Sequence, residues 1–309
     1  MITAVSLNPS IDRTVCVERV VLGGLNRALE SRDDPGGKGI NVALAAKRLG
    51  AAIDCIGILP SGQRALHDDK LTREDVPHEF IYSAGKMRCN IKIIETSTGA
   101  LTEINQSGEP VEQDALDAFI RLFYSRARAS NFLALCGSLP ANCPDDFYRT
   151  LIELATENKR RCTLDASGLP LKLGIEAKPF VIKPNSAELE ELAGRRLHTL
   201  ADIRSAAVEL SRGGVSVVLV SLGSEGALMA RGEEAWFAPA VEVSVKSTVG
   251  AGDAMLAGFL TGIDQDTGHI GAFKLSVAAA TACVATEGTQ PIDGDLAKRL
   301  IDRVIIKKL

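Results

Sequence analysis

The chain has 309 residues, of which 46% are hydrophobic and 24% charged, with a formal net charge of -4. This suits a soluble globular protein with a full core. It lacks the basic footprint of a nucleic-acid binder, and no apolar run reaches the roughly 20 residues of a membrane-spanning helix. The seven cysteines are odd in number and scattered, with no Cys-x-x-Cys pair. That argues against a disulfide framework or structural zinc, and for a reducing cytoplasm. The opening Met1-Ile2-Thr3-Ala4-Val5-Ser6-Leu7 carries no basic leader and reads as a strand.

In chain order, short apolar runs alternate with amphipathic stretches. Core strands are expected at 4–7, 53–58, 132–136, 162–165, 180–183 and 215–221. Helices are expected at 39–49, 113–128, 144–158, 186–193, 200–212, 251–262, 270–286 and 293–305. Alternation of this kind predicts an α/β fold, a three-layer α/β/α sandwich around a mostly parallel sheet. The strand Val215-Ser216-Val217-Val218-Leu219-Val220 is apolar nearly throughout, as a strand covered on both faces should be. Two stretches, about 12–32 and 80–104, carry β-type segments such as Arg13-Thr14-Val15-Cys16-Val17 and Asn90-Ile91-Lys92-Ile93-Ile94 without a long helix. They predict a small β-sheet appended to a single 1–309 domain, a lid over the C-terminal ends of the main strands where α/β ligand sites lie.

The string Ser247-Thr248-Val249-Gly250-Ala251-Gly252-Asp253 opens an apolar helix with three small residues and an acid in its first turn. A helix start presents unpaired N–H groups and positive dipole, which favour a transferring phosphoryl group. Small side chains let that group approach the backbone of Gly250, Ala251 and Gly252. Asp253 then lies where it could accept the proton of an attacking hydroxyl. A plain turn with a capping acid would read the same way. A second cluster, Pro35-Gly36-Gly37-Lys38-Gly39-Ile40-Asn41, also feeds glycines into an apolar helix and adds a mobile cation, a second candidate anion site.

Together these residues resemble the ribokinase-like (phosphofructokinase B type) sugar kinases. Asn8-Pro9-Ser10-Ile11-Asp12, Gly137-Ser138-Leu139-Pro140, Lys183-Pro184-Asn185-x-x-Glu188 and Ser221-Leu222-Gly223-x-x-Gly226 follow in that family's order and spacing, over essentially the whole chain. Asn26-Arg27, Lys38 and Arg88-x-Asn90 resemble its phosphosugar branch. The resemblance implies ATP-dependent phosphoryl transfer to a ketohexose phosphate, with Mg²⁺. D-fructose 1-phosphate is the first expectation and D-tagatose 6-phosphate or fructose 6-phosphate the alternatives. A non-catalytic phosphosugar or nucleotide sensor on the same fold is a more distant reading. A dinucleotide-dependent oxidoreductase is disfavoured, because Gly36–Gly39 lacks the Gly-x-Gly-x-x-Gly spacing directly after a strand.

By resemblance, Lys38, Arg27 and Arg88 clamp the acceptor's phosphate. Asp12 accepts from a sugar hydroxyl, with Gly36, Gly37, Asn41, Asn90 and Gly137 around it. Lys183, Ser221, Gly223, Gly226 and Thr248 face the nucleotide. Asn185 and Glu188 orient magnesium through its waters, although they also read as a helix-capping pair. A homodimer joined through the lid sheets is implied as well. Two departures stand out: many relatives carry an acid at the position of Ser247, where some hold a monovalent cation, and residues 59–65 differ from the family's usual Gly-rich, Asp-containing turn beside the acceptor and look shortened.

Overall fold

The computed structural model describes residues 1–286 and 290–309. Its first strand, β1 (Ile2–Ser6), continues into β2 (Ser10–Val17) and β3 (Glu30–Gly36), and then into α1 (Lys38–Arg48). Next come β4 (Ile53–Pro60), α2 (Ala65–Arg73), β5 (His78–Ser83), β6 (Arg88–Glu95), β7 (Leu101–Ile104), α3 (Gln113–Ala127) and β8 (Phe132–Cys136). The middle of the chain forms α4 (Phe147–Glu157), β9 (Arg161–Asp165), α5 (Gly168–Glu176), β10 (Val181–Ile182), α6 (Ser186–Ala193) and α7 (Leu200–Arg212). It closes with β11 (Val217–Ser221), β12 (Gly226–Arg231), β13 (Glu234–Pro239), α8 (Ala251–Asp264), α9 (Gly268–Val284), α10 (Gly294–Leu300) and β14 (Lys307–Lys308).

Ten strands form one sheet in the order β14-β13-β12-β11-β10-β9-β8-β1-β4-β5. The seven from β11 to β5 are parallel, and β12, β13 and β14 extend the sheet antiparallel at one edge. Alternate side chains of the buried strands feed two separate cores. Ile2, Ala4, Ile53 and Cys55 pack with α1, α8 and α9, while Val5, Leu7, Ile56 and Ile58 pack with α3, α4 and α7. A sheet apolar on both faces needs a helical layer on each, and the α/β three-layer architecture with a mostly parallel sheet is what the sequence led us to expect.

A second, four-stranded sheet runs β3-β2-β6-β7, with β2 antiparallel to β3 and parallel to β6. It starts earlier in the chain than the expected segment 12–32, at Ser10, and β3 runs on to Gly36. The expected segment 80–104 divides. Residues 78–83 join the large sheet as β5 beside β4, because Phe80 points into the core beneath them, and only β6 and β7 enter the small sheet.

Leaving the small sheet after β3, the chain enters α1, which packs on the large sheet by a close backbone approach. A Cβ on Gly39 would lie 2.2 Å from the Val5 carbonyl oxygen. Only glycine lets α1 rest directly on β1 there, and this contact brings Lys38 to the C-terminal edge of the parallel strands.

Candidate active site

The C-terminal ends of β8, β9 and β10 and the N-termini of α1 and α8 meet at one place, and their charged side chains interlock. Asp165, the last residue of β9, is fully buried. Its Oδ1 accepts a hydrogen bond from Lys38 Nζ at 2.8 Å, and its Oδ2 pairs with Lys183 Nζ at 3.2 Å. Lys183 follows β10 and is 5% exposed, whereas the Lys38 side chain is 39% exposed. Lys38 therefore reaches solvent from a bridge that Lys183 anchors inside.

Gly250 caps α8 in the left-handed region, at φ 79°, which fits glycine and strains other residues. The first helical hydrogen bond of α8 runs from Ala254 N to Gly250 O at 2.8 Å. The preceding amides of Ala251, Gly252 and Asp253 have no i−4 acceptor within the helix. A Cβ on Gly252 would sit 3.0 Å from Lys183 Nζ, so that ammonium lies against the first turn of α8. Asp253 is buried, and its Oδ2 accepts a hydrogen bond from Asn41 Nδ2 at 2.8 Å. Asn41 is one turn beyond Lys38 on α1, so the two glycine-led helices are joined at their starts.

Burial pushes the Asp253 carboxyl up to about 6, and the charge of Asp165 pushes the same way, against the pull of Lys38, Asn41 and Lys183. For Asp165, burial also acts upward, but Lys183 and Lys38 outweigh it and hold the carboxyl below the usual range. Burial opposes the charge on Lys38, yet Asp165, Asp253 and Glu188 keep its ammonium above the ordinary lysine value. Two neighbouring carboxyls are thus driven apart, one held ionised and one able to carry a proton near neutrality.

The small sheet supplies a second cluster. Asp12 is buried; its Oδ1 accepts from Ser10 Oγ at 2.8 Å and Asn90 Nδ2 at 3.1 Å, and its Oδ2 pairs with Lys92 Nζ at 2.8 Å. A Cβ on Gly36 would lie 2.5 Å from Asp12 Oδ1, and Gly37 sits at φ 130° with Pro9 against it. Arg88 binds the Asn8 carbonyl through Nε and Nη2, at 3.1 and 2.9 Å, and reaches Asn90 and Gln106 through Nη1. Gly137, at φ 94°, donates its N–H to the Asp165 carbonyl at 2.8 Å and lies against the Lys38 side chain.

The remaining expected residues are placed less centrally. Arg27 is exposed in the turn between β2 and β3, where Asn26 bonds the Val21 and Gly24 backbone; the structure does not bring it to Lys38 and Arg88. Thr248 is exposed, and its carbonyl accepts from Ala251 N. Ser221 ends β11, bridged to Asn185. Gly223 is exposed at φ 58°, whereas Gly226 has a packing reason of its own, since its Cβ would lie 2.0 Å from the Ala238 carbonyl oxygen. Asn185 and Glu188 form a complete capping box on α6, and Glu188 also acts electrostatically on Lys38.

Three residues escaped the sequence reading: Asp165, Lys92 and His67. His67, on α2, is fully buried, and its Nε2–H donates to the carbonyls of both Ser10 and Gly36, at 3.0 and 3.2 Å. It pins the strand ends that flank Asp12 and Gly37.

Residues 5–294 match the family described as pfkB family carbohydrate kinase. The chain is 33% identical over 311 residues to a 1-phosphofructokinase of Bacillus subtilis (strain 168), covering 100% of each chain. It is 37% identical over 262 residues to a 1-phosphofructokinase of Rhodobacter capsulatus, covering 84% of this chain and 82% of that one. Its fold superposes on phosphofructokinase-2 from Escherichia coli in complex with substrates and products with a TM-score of 0.91, at 26% identity, covering 98% and 99% of the two chains.

Lys92 and Asp12 are both about nine-tenths buried. Replacing Lys92 with Met leaves the Asp12 charge without its cation, so K92M should lose about 3–5 kcal/mol of stability at neutral pH, measured by urea unfolding. D12N added to K92M should recover part of that loss, and an additive loss would show that the pair is not coupled. With both buried clusters described and the matches spanning its length, the chain belongs to the pfkB family of carbohydrate kinases, which take their phosphoryl group from ATP.

Proposed function

We infer that the protein transfers the γ-phosphoryl group of ATP to D-fructose 1-phosphate, giving fructose 1,6-bisphosphate. The observation that carries this reading is the joining of Asp253 to Asn41 beside the Lys38–Asp165–Lys183 bridge, which sets a base, two cations and two glycine-led helix starts around one point. The full-length likeness to proteins named 1-phosphofructokinase supports the choice of acceptor.

In this reading Asp12, with Gly36, Gly37, Asn41, Asn90 and Gly137, receives the sugar. Lys38 and Arg88 face the phosphate it already carries, and Arg27 joins them only if its turn moves inward. The acceptor oxygen bonds to the γ-phosphorus as the bond from that phosphorus to the bridging oxygen of ADP breaks. The hydroxyl proton passes to Asp253, and the amides of Gly250, Ala251 and Gly252 stabilise the charge on the transferring group. Lys183, Ser221, Gly223, Gly226 and Thr248 lie on the nucleotide side.

The oxygens of the α6 capping box suit Mg²⁺ touched through water. Asn185 Oδ1 and Glu188 Oε2 are already spent on backbone amides, and no three His, Cys, Asp or Glu side chains cluster as a metal site among the described residues. Asn185 and Glu188 would hold the hydrated ion, which when bound neutralises phosphate charge.

The small sheet serves as a lid on the one kinase domain and as the contact between two copies. Its turn exposes Leu22 at 93%, Leu25 at 80% and Leu29 at 66%, more apolar surface than a free turn needs. The protein works in the reducing cytoplasm, in keeping with its seven free thiols.

Four outcomes check this. A coupled ADP-release assay over fructose 1-phosphate, tagatose 6-phosphate and fructose 6-phosphate should give the highest kcat/KM for the first. Activity confined to unphosphorylated sugars would end the proposal. kcat/KM should fall about tenfold per pH unit below about 6, where Asp253 takes up its proton. D253N should cost about 10²–10⁴-fold in kcat with acceptor KM within a few-fold, and near-normal turnover would remove Asp253 as the base. Sedimentation should give twice the chain mass, and the single mass for the Leu22→Asp, Leu25→Asp double variant; a wild-type monomer would reject the dimer.

A further inference from the structure

Asp165 belongs to no glycine motif, yet it is the most enclosed charge in the site. It lies at the end of β9, with β8 on one side and β10 on the other. Each of its two oxygens faces one lysine, Lys38 from α1 and Lys183 from the segment after β10. Lys183 Nζ also lies against the first turn of α8, the turn that carries Asp253. Lys38 starts the helix whose Asn41 is bonded to Asp253. Both ammonium groups are therefore close enough to Asp253 to act on its charge, and both are ion-paired with Asp165 instead.

We propose that Asp165 is a positioning residue that holds Lys38 and Lys183 on its own oxygens, so that neither closes an ion pair with Asp253 and the base stays free for the hydroxyl proton. A lysine ammonium has three N–H donors. With one spent on Asp165, the others remain for phosphate oxygens, and the long side chain is already ordered when the ligand arrives. Without Asp165, Asp253 is the remaining buried carboxylate on which both lysines act. A lysine paired with that carboxylate would weaken it as a base and turn away from the phosphates.

The groups facing Asp253 come from every element around it. They are Lys38 and Asn41 on α1, Asp165 on β9, Lys183 after β10, Cys136 at the end of β8 and Cys283 on α9, with Glu188 of α6 acting on Lys38. Both thiols are held protonated by burial. The carboxylates and lysines alone set the charge there near neutral pH.

The proposal rests on Asp253 being the base of the kinase reaction, but its test reads Asp253 without substrate. In the full-length protein labelled with ¹³C at aspartate carboxyls, the Asp253 titration is followed in wild type, D165N and D165E. D165N should move the midpoint down by about one pH unit or more, with the acid limb of kcat/KM moving alongside and plateau kcat falling. D165E, which keeps the charge, should leave the midpoint near wild type.

A folded D165N with an unmoved Asp253 midpoint overturns the proposal, since a merely structural role would lower activity at every pH alike. If D165N does not fold, the D165N/K183M variant removes one charge of each sign. Lys38 should then pair with Asp253 and again lower its midpoint, and an unchanged midpoint there overturns the proposal equally. Should the midpoint move as expected while no phosphosugar is turned over, the kinase reading fails and the positioning role stands.

Discussion

Two lysines and two aspartates cannot be taken out of water singly, and most of the architecture near the site follows from that constraint. Burying one unpaired charge costs several kcal/mol after relaxation. Lys183, Asp165 and Asp253 are therefore buried together and balanced by the half-exposed Lys38, and this depends on three strand ends and two helix starts meeting. A parallel sheet makes this possible, because all its C-terminal strand ends lie on one edge and the following helices start there. Asp165 closes β9 and Lys183 follows β10, next to each other by sheet order rather than by sequence. The glycines complete the arrangement. Gly39 lets α1 sit on β1, and Gly252 leaves room for the Lys183 ammonium against α8. A methyl group at Gly39 would collide with the β1 backbone and lift α1, with Lys38 and Asn41, off the sheet.

The same balance separates the roles of the two acids. Asp165 faces two lysines at close range and stays ionised. Asp253 faces one amide directly and the lysines only at a distance, so burial dominates and its affinity for a proton rises. The proposed role of Asp253 as base requires that intermediate position, since a carboxylate tightly bound to a cation would be a poor acceptor and an isolated buried one would already be protonated at neutral pH. With both lysines paired to Asp165 at the end of β9 and Asp253 on α8 bonded to Asn41, both limits are met.

How much of this could be read from the chain depends on the range of the interactions. Lys38, Asn41, Gly250 and Asp253 announce themselves because glycines running into an apolar helix are a local pattern, and both helices were legible. Asp165 was not, as one acid after a short apolar strand has no distinguishing neighbour, and its lysines are 127 and 18 residues away in sequence. Lys92 was read only as part of a strand, because a lysine in an alternating segment normally faces water; its partner Asp12 lies 80 residues earlier. Among the elements, α5 was hidden by Gly168, Pro170 and Gly174, residues that disfavour a helix interior. The α2 helix buries only His67 and Leu71, too few to set a helical period. Strand β10 shrinks to two residues because Pro184 follows closely and cannot donate to the ladder. The hairpin β12–β13 was missed because its first strand is short and apolar without alternation, and what makes it, the approach of Gly226 to the Ala238 carbonyl, is non-local.

Residues 59–65, which depart from the family's usual turn, acquire a physical meaning from what they deliver. Strand β4 ends at Pro60, a single tight turn spans Ser61–Gln63, and α2 begins at Ala65. His67 therefore lies in the first turn of α2, close to the end of β4, and is fully enclosed. The imidazole then spans two carbonyls that pair across β2 and β3, those of Ser10 and Gly36. Both carbonyl oxygens only accept, so Nε2 must carry the hydrogen, and the buried Nδ1 is left without a partner. Burial keeps the ring neutral, and a second proton would add an uncompensated charge to this place. A neutral donor of this kind fixes the strand ends without adding a cation beside Asp12, whose charge is already met by Lys92. The strand ends beside Asp12 are thus held by an uncharged pin, and the charge of that cluster is set by the Asp12–Lys92 pair alone.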